Sequence, residues 1–118
     1  MIQGLAGTLI FSEDHKKLVP FYRDTIGLVV EDDGPSECVF ASSTGARLLL
    51  GTHSKVHGSS REPDRMIPTL LADDVRAEYA RLKAAGVDLV GAVTQHGPAT
   101  FATFRDPEGN LVNLIQFG

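Results

Sequence analysis

The residues of this chain with the most chemical potential are four histidines. His53 and His57 stand four positions apart, a spacing that would place both imidazoles on one face of a helix. They lie in a segment that contains Gly, Ser and Pro, so we predict exposed loop histidines instead. His96 belongs to a predicted hairpin, and His15 follows a helix cap and is predicted at the surface. Whether His53, His57 or His96 reaches a binding site stays open.

Other candidate nucleophiles and acid–base groups have structural explanations. Cys38 lies in an apolar run and is predicted to be a small buried side chain rather than a nucleophile. Asp73 and Asp74 look like paired carboxylates, but helix capping accounts for them. Asp106 and Glu108 belong to a predicted turn. The sequence therefore assigns no catalytic residue.

Composition excludes several classes of function. The chain has 118 residues, 42% of them hydrophobic, which suits one globular domain. A net charge of −4 with scattered basic residues argues against nucleic-acid binding, and no apolar run is long enough for a membrane span. The amino terminus lacks the features of a signal peptide, and one cysteine cannot form an intrachain disulfide. We expect a cytoplasmic protein.

The predicted elements follow the same order in both halves. In the first half, Asp14 is a plausible helix cap, Pro20 should kink the helix or begin a shorter one, and Gly27 should end it. In the second half, Asp73 or Asp74 caps a helix whose inward stripe is Val75, Tyr79 and Leu82. The predicted strands are residues 5–11, 28–31, 37–41 and 47–50, then 67–72, 87–93, 100–104 and 111–117.

The order is thus β-α-β-β-β, repeated after a polar connector. Aligning Asp14 with Asp74 also aligns Leu9-Ile10 with Thr69-Leu70, so the repeat rests on pattern more than identity. We predict one domain over residues 1–118, with module one at 4–51, a connector at 52–65 and module two at 66–118.

Two motifs in matching halves resemble a known superfamily. They are Pro20-Phe21-Tyr22-Arg23-Asp24-Thr25-Ile26-Gly27-Leu28 and Phe104-Arg105-Asp106-Pro107-Glu108-Gly109-Asn110. With the element order, they resemble the vicinal oxygen chelate superfamily, which includes glyoxalase I, extradiol dioxygenases and bleomycin- and fosfomycin-resistance proteins. The resemblance covers nearly the whole chain. It implies an α+β fold in which two βαβββ modules form a curved mixed sheet around a shared cup, with helices outside, often as a homodimer.

The resemblance also implies where a metal would be bound. Enzymes of the superfamily place His, Glu or Gln on the first and last strand of each half. The matching positions here are Gly7, Leu49, Ile67 and Asn113. A divalent metal needs about three imidazole, carboxylate or thiolate ligands. We therefore expect no metal and no cofactor.

Strand alternation predicts which residues line the cup. Arg47 would pair with a ligand carboxylate or phosphate, Asn113 would donate amide hydrogen bonds, and Phe101 or Phe104 would add to Phe11. The predicted cup residues are Leu9, Phe11, Arg47, Leu49, Ile67, Thr69, Leu71, Asn113 and Ile115. The alternate set, predicted to pack beneath the helices, is Ile10, Leu48, Leu50, Leu70, Val112 and Leu114.

A mostly apolar cup with few polar groups favours a binding protein for a small organic molecule. We predict metal-independent binding, with drug or metabolite sequestration as the role that the resemblance implies. The alternative is a lyase, isomerase or epimerase that is metal-free or uses a relocated metal, with His53, His57 or His96 in the cup. A third hypothesis is that the protein is an interaction module whose cup is vestigial.

Overall fold

The computed structural model describes all residues, 1–118, as two compact units. The first unit spans Met1–Gly58 and the second Ser59–Gly118, so the boundary falls inside the predicted connector. The predicted α+β class and the βαβββ order are confirmed, with one further short strand in the second unit. No helix has the length and apolar character needed to cross a bilayer.

The first unit is a four-stranded sheet with one continuous helical stretch, which is α-helical at first and π-helical at its end. Its elements are β1 (Gly7–Ser12), α1 (His15–Pro20), a π-helical segment (Phe21–Ile26), β2 (Val29–Asp33), β3 (Glu37–Ala41) and β4 (Arg47–Thr52). The strand order is β1-β4-β3-β2, with β1 parallel to β4 and the other pairs antiparallel.

Pro20 determines how the first helix continues. It is the last residue of α1, and proline lacks the amide hydrogen that an α-helix requires. The chain continues as a π-helical turn, which ends at Gly27 with a φ of +91° that suits glycine. The predicted irregularity at Pro20 and the helix end at Gly27 are both confirmed.

The second unit is built around a longer antiparallel pair. Its elements are β5 (Thr69–Leu71), α2 (Val75–Ala84), β6 (Asp88–Leu89), β7 (Thr94–His96), β8 (Ala99–Arg105) and β9 (Leu111–Phe117). The strand order is β5-β9-β8-β6, and β7 also pairs with β8. The predicted strand 87–93 was wrong, since only Asp88–Leu89 is extended before the chain turns at Gly91.

Each unit packs one sheet face against its helix. In the first unit α1 contacts β1, β3 and β4, and in the second α2 contacts β6, β8 and β9. Five of the six residues predicted beneath the helices are buried, and Leu70 is half-buried. The buried apolar side chains include Ile10, Leu18, Tyr22, Cys38, Phe40, Leu48 and Leu50, then Val75, Leu82, Phe104, Val112 and Leu114.

Candidate ligand-binding site

The face of the first sheet that points away from α1 is apolar and partly exposed. Leu9, Leu49 and Val39 lie side by side across β1, β4 and β3. Leu9 keeps 53% of its surface exposed, although leucine usually lies inside. We call this surface the first open face. It brings together four predicted cup residues: Leu9, Phe11, Arg47 and Leu49.

Phe11 forms an aromatic platform at one end of the first open face. It is paired with Gly51, and a Cβ at Gly51 would lie only 3.0 Å from Phe11 Cε1. The absent side chain therefore makes room for the ring. His53 packs edge-on against Phe11, with ring centroids 5.1 Å apart at 71°. Its Nδ1 accepts a hydrogen bond from the Lys55 amide at 3.1 Å, so the proton of the neutral ring lies on Nε2.

Arg47 is held at the other end by a carboxylate of its own sheet. Arg47 Nε donates to Glu31 Oε2 at 2.6 Å, and Nη2 donates to Oε1 at 3.1 Å. These hydrogen bonds lower the pKa of the Glu31 carboxyl. The guanidinium on which we predicted ligand binding is thus already paired with an anion.

The second unit has an equivalent surface, the second open face. Strand pairing places Thr69 opposite Asn113 and Leu71 opposite Ile115. Leu71 is 56% exposed, and Thr103 Oγ1 donates to Asn113 Oδ1 at 2.7 Å. Ile67, also predicted in the cup, is half-buried and precedes β5.

Phe101 extends the second open face, whereas Phe104 belongs to the core. Phe101 is paired with Ile115, while Phe104 is fully buried. His96 packs edge-on against Phe101, with centroids 5.7 Å apart at 74°. Each open face therefore carries a phenylalanine with a histidine at its edge. The sequence identified both histidines as candidates but did not predict which aromatic ring each one contacts.

The two remaining histidines lie elsewhere. His57 is exposed, and its Nδ1 lies 3.5 Å from Glu13 Oε1. The prediction that His15 is at the surface was wrong, because only 1% of it is exposed. Its Nδ1 lies 2.7 Å from Thr52 Oγ1, and its Nε2 has no hydrogen-bond partner. His15 is buried because α1 packs against β4, a contact that its helix-start position did not reveal.

Several residues of the open faces were missed. Val39 was overlooked because only the first and last strands were assigned to the cup. Glu31 and Asp32 were overlooked because a register shift in β2 brings both to the first open face: Glu31 reaches Arg47, and Asp32 lies opposite Val39. Alternation along β3 would have identified Val39, but a bulge leaves no comparable signal in one sequence.

The residues at the four metal positions that the resemblance implies do not fit a divalent metal. A Cβ at Gly7 would lie 2.1 Å from the Arg47 carbonyl oxygen, so a ligand side chain there would require β1 to move. Leu49 and Ile67 have no donor atom, and the Asn113 oxygen accepts from Thr103. The structure contains no group of three or more His, Cys, Asp or Glu side chains that could hold a metal ion.

Comparison with known proteins identifies the family. The model of the Glyoxalase/Bleomycin resistance protein/Dioxygenase superfamily matches residues 4–114. The chain belongs to this superfamily. The resemblance inferred from the two motifs is therefore confirmed.

Three known proteins are similar to this chain over nearly their full length. The uncharacterized protein YurT of Bacillus subtilis (strain 168) is 29% identical, over 92% of this chain and 95% of YurT. The structure of TnmS3, an antibiotic binding protein from Streptomyces sp. CB03234, is 28% identical with a TM-score of 0.75, covering 99% and 98% of the two chains. Lactoylglutathione lyase from Agrobacterium tumefaciens is 23% identical with a TM-score of 0.74, covering 98% and 95%, which shows a shared fold.

Proposed function

We propose that this protein binds a small organic molecule with a planar, largely apolar body, and that it does so without a metal. The observation that carries the proposal is the exposure of apolar side chains on the strand faces that turn away from the helices. Leu9, Phe11 and Leu71 keep between 41% and 56% of their surface exposed. Exposed apolar surface of this kind is typical of binding sites.

The aromatic pairs favour a planar ligand. In each pair the histidine packs edge-on against the phenylalanine: His53 against Phe11, and His96 against Phe101. A planar ligand can stack on such a ring, which adds about 0.5–1.5 kcal/mol beyond area burial. Asn113 retains an amide group beside the Thr103 hydroxyl for a polar contact. The likeness to TnmS3, an antibiotic binding protein, supports the same class of function.

A thermal-shift screen in EDTA tests this proposal. Planar aromatic compounds should raise the melting temperature, because a ligand at 100 times its Kd stabilises the fold by about 2.7 kcal/mol. Phe11→Ala should weaken binding to the first open face, and Leu71→Ala binding to the second, each about three- to tenfold. Met66→Ala is the control, since Met66 is 82% exposed but lies outside every strand. Unchanged melting across the panel would reject small-molecule binding and favour the interaction module.

A lyase, isomerase or epimerase is the second candidate, favoured by the imidazoles beside Phe11 and Phe101. His53 Nδ1 accepts a hydrogen bond from the Lys55 amide, which leaves the Nε2–H of the neutral ring to donate a hydrogen bond to a bound compound. Turnover of a bound compound that is lost in His53→Asn or His96→Asn, with binding retained, would establish the enzyme. Binding without turnover supports the sequestering role. A homodimeric state and a cytoplasmic location remain predictions from the sequence.

A further inference from the structure

The first open face has an uneven charge distribution. Three carboxylates lie along its β2–β3 side: Glu31 bound to Arg47, Asp32 opposite Val39, and Glu37 opposite Gly51. Arg47 is the one Lys or Arg on this face, and Glu31 neutralises it. Asp32 and Glu37 are exposed and have no salt-bridge partner. The face therefore carries an uncompensated negative charge.

The carboxylates border the apolar surface directly. One row across the sheet reads Asp32, Val39, Leu49 and Leu9, because each residue pairs with the next. The adjacent row reads Glu37, Gly51 and Phe11. In both rows an apolar platform lies beside an acidic side chain, with strands spaced about 4.8 Å apart. One small molecule can span the two.

We propose that the first open face selects organic cations: molecules with an aromatic body and a protonated amine. The body lies on Leu9, Phe11 and Leu49, and the ammonium group lies against Asp32 and Glu37. Phe11 also attracts a cation through the face of its ring. An anionic ligand is disfavoured, because Glu31 already neutralises Arg47 and the Asp32 and Glu37 carboxylates repel a further negative charge. This inference rests on the proposed function and specifies its ligand class.

Three probes with the same bicyclic body test the charge preference. They are 1-naphthylmethylamine, which is protonated at pH 7, neutral 1-naphthalenemethanol and anionic 1-naphthoate, each titrated into the wild-type protein by calorimetry. The amine should bind about three- to tenfold more tightly than the alcohol, and naphthoate most weakly. Raising the salt concentration should weaken the amine alone.

Substitutions locate the effect on the face. Asp32→Asn combined with Glu37→Gln should reduce the affinity for the amine about three- to tenfold and leave the alcohol unchanged. Asp33→Asn is the matched control, because Asp33 is the next residue of β2 and lies opposite buried Cys38. It should bind all three probes like the wild type.

The possible failures are distinguishable. If the alcohol binds as tightly as the amine, or if Asp33→Asn weakens the amine as much as the double variant does, the cation preference is wrong while small-molecule binding stands. If naphthoate binds most tightly, Arg47 rather than the carboxylates selects the ligand. If none of the three probes binds, the proposed function fails together with this inference.

Discussion

At the scale of single residues, Gly7 lies where β4 leaves no room for a side chain on β1. A methyl group there would lie 2.1 Å from the Arg47 carbonyl oxygen. Gly7→Ala should therefore lower the free energy of unfolding by about 1–3 kcal/mol, as overpacking does. Urea denaturation measures the change. Gly34→Ala is the control, since its Cβ would meet Glu37 O at an ordinary 3.5 Å. Equal effects at both positions would show that the strands tolerate a side chain at Gly7.

The Glu31–Arg47 pair makes a prediction about pH. The Arg47 hydrogen bonds lower the pKa of the Glu31 carboxyl in the folded protein. Its contribution to stability is therefore present above the ordinary glutamate pKa and is lost as the pH falls through the lowered value. Carbon-detected NMR titration should show Glu31 returning to the usual range in Arg47→Gln. Arg23→Gln should leave Glu31 unchanged and instead raise the pKa of Asp24, which Arg23 lowers; a Glu31 unaffected by Arg47→Gln would refute the assignment.

Predictability from the sequence varied from residue to residue. Leu9 and Phe11 were predicted to share one strand face because strand alternation is a local property, and both lie on the first open face. The sequence did not reveal that His15 is buried or that Arg47 forms an ion pair. In both cases the partner is distant in sequence: Thr52 for His15 and Glu31 for Arg47. No pattern in a single chain reports such contacts.

At the scale of secondary-structure elements, two side chains cap the start of α2: Gln116 Oε1 accepts a hydrogen bond from the Val75 amide at 2.9 Å, and Asp74 provides the second cap. Asp74 accepts a hydrogen bond from the Ala77 amide at 3.0 Å, whereas the side chain of Asp73 makes none. Asp74→Ala should destabilise the protein by about 1 kcal/mol, while Asp73→Ala should have little effect. Chemical denaturation of the two variants provides the comparison. A larger loss at Asp73 would mean that the cap is misassigned.

Element boundaries were predicted well where caps and alternation agreed. The strand at 111–117 matches β9, and the cap was narrowed to Asp73 or Asp74. The predicted strand at 87–93 failed because Gly91 adopts a φ of +72° and its carbonyl accepts a hydrogen bond from the Tyr79 hydroxyl. An apolar run with a glycine near its centre favours a strand by composition but can turn there.

At the scale of the whole molecule, Cys38 reports on the integrity of the first core. Its side chain is fully buried, and burial raises the pKa of the thiol. Because the thiolate is the reactive form, Cys38 should be protected from Ellman's reagent in the native state and become reactive with the urea transition followed by circular dichroism. Rapid labelling of the native protein would show that this core is open.

The duplicated architecture was the most predictable property of the molecule. Two short motifs, one per half, and a repeated element order indicated the superfamily. The family model that matches residues 4–114 confirms it. The class of ligand is harder to predict from the sequence, because it depends on which side chains share a sheet face. Glu31 and Asp32 share the first open face because of a register shift in β2, which no sequence pattern predicts.

The most direct test of the account is a calorimetric titration of the tightest planar aromatic compound from the screen. It is performed on protein treated with EDTA and again after addition of Mg²⁺, Mn²⁺, Ni²⁺ or Zn²⁺. The account predicts saturable binding with the same Kd in every sample, since the exposed apolar side chains of an open face, such as Leu9 and Phe11, provide the contact surface. Binding that appears only when a metal is restored would contradict it.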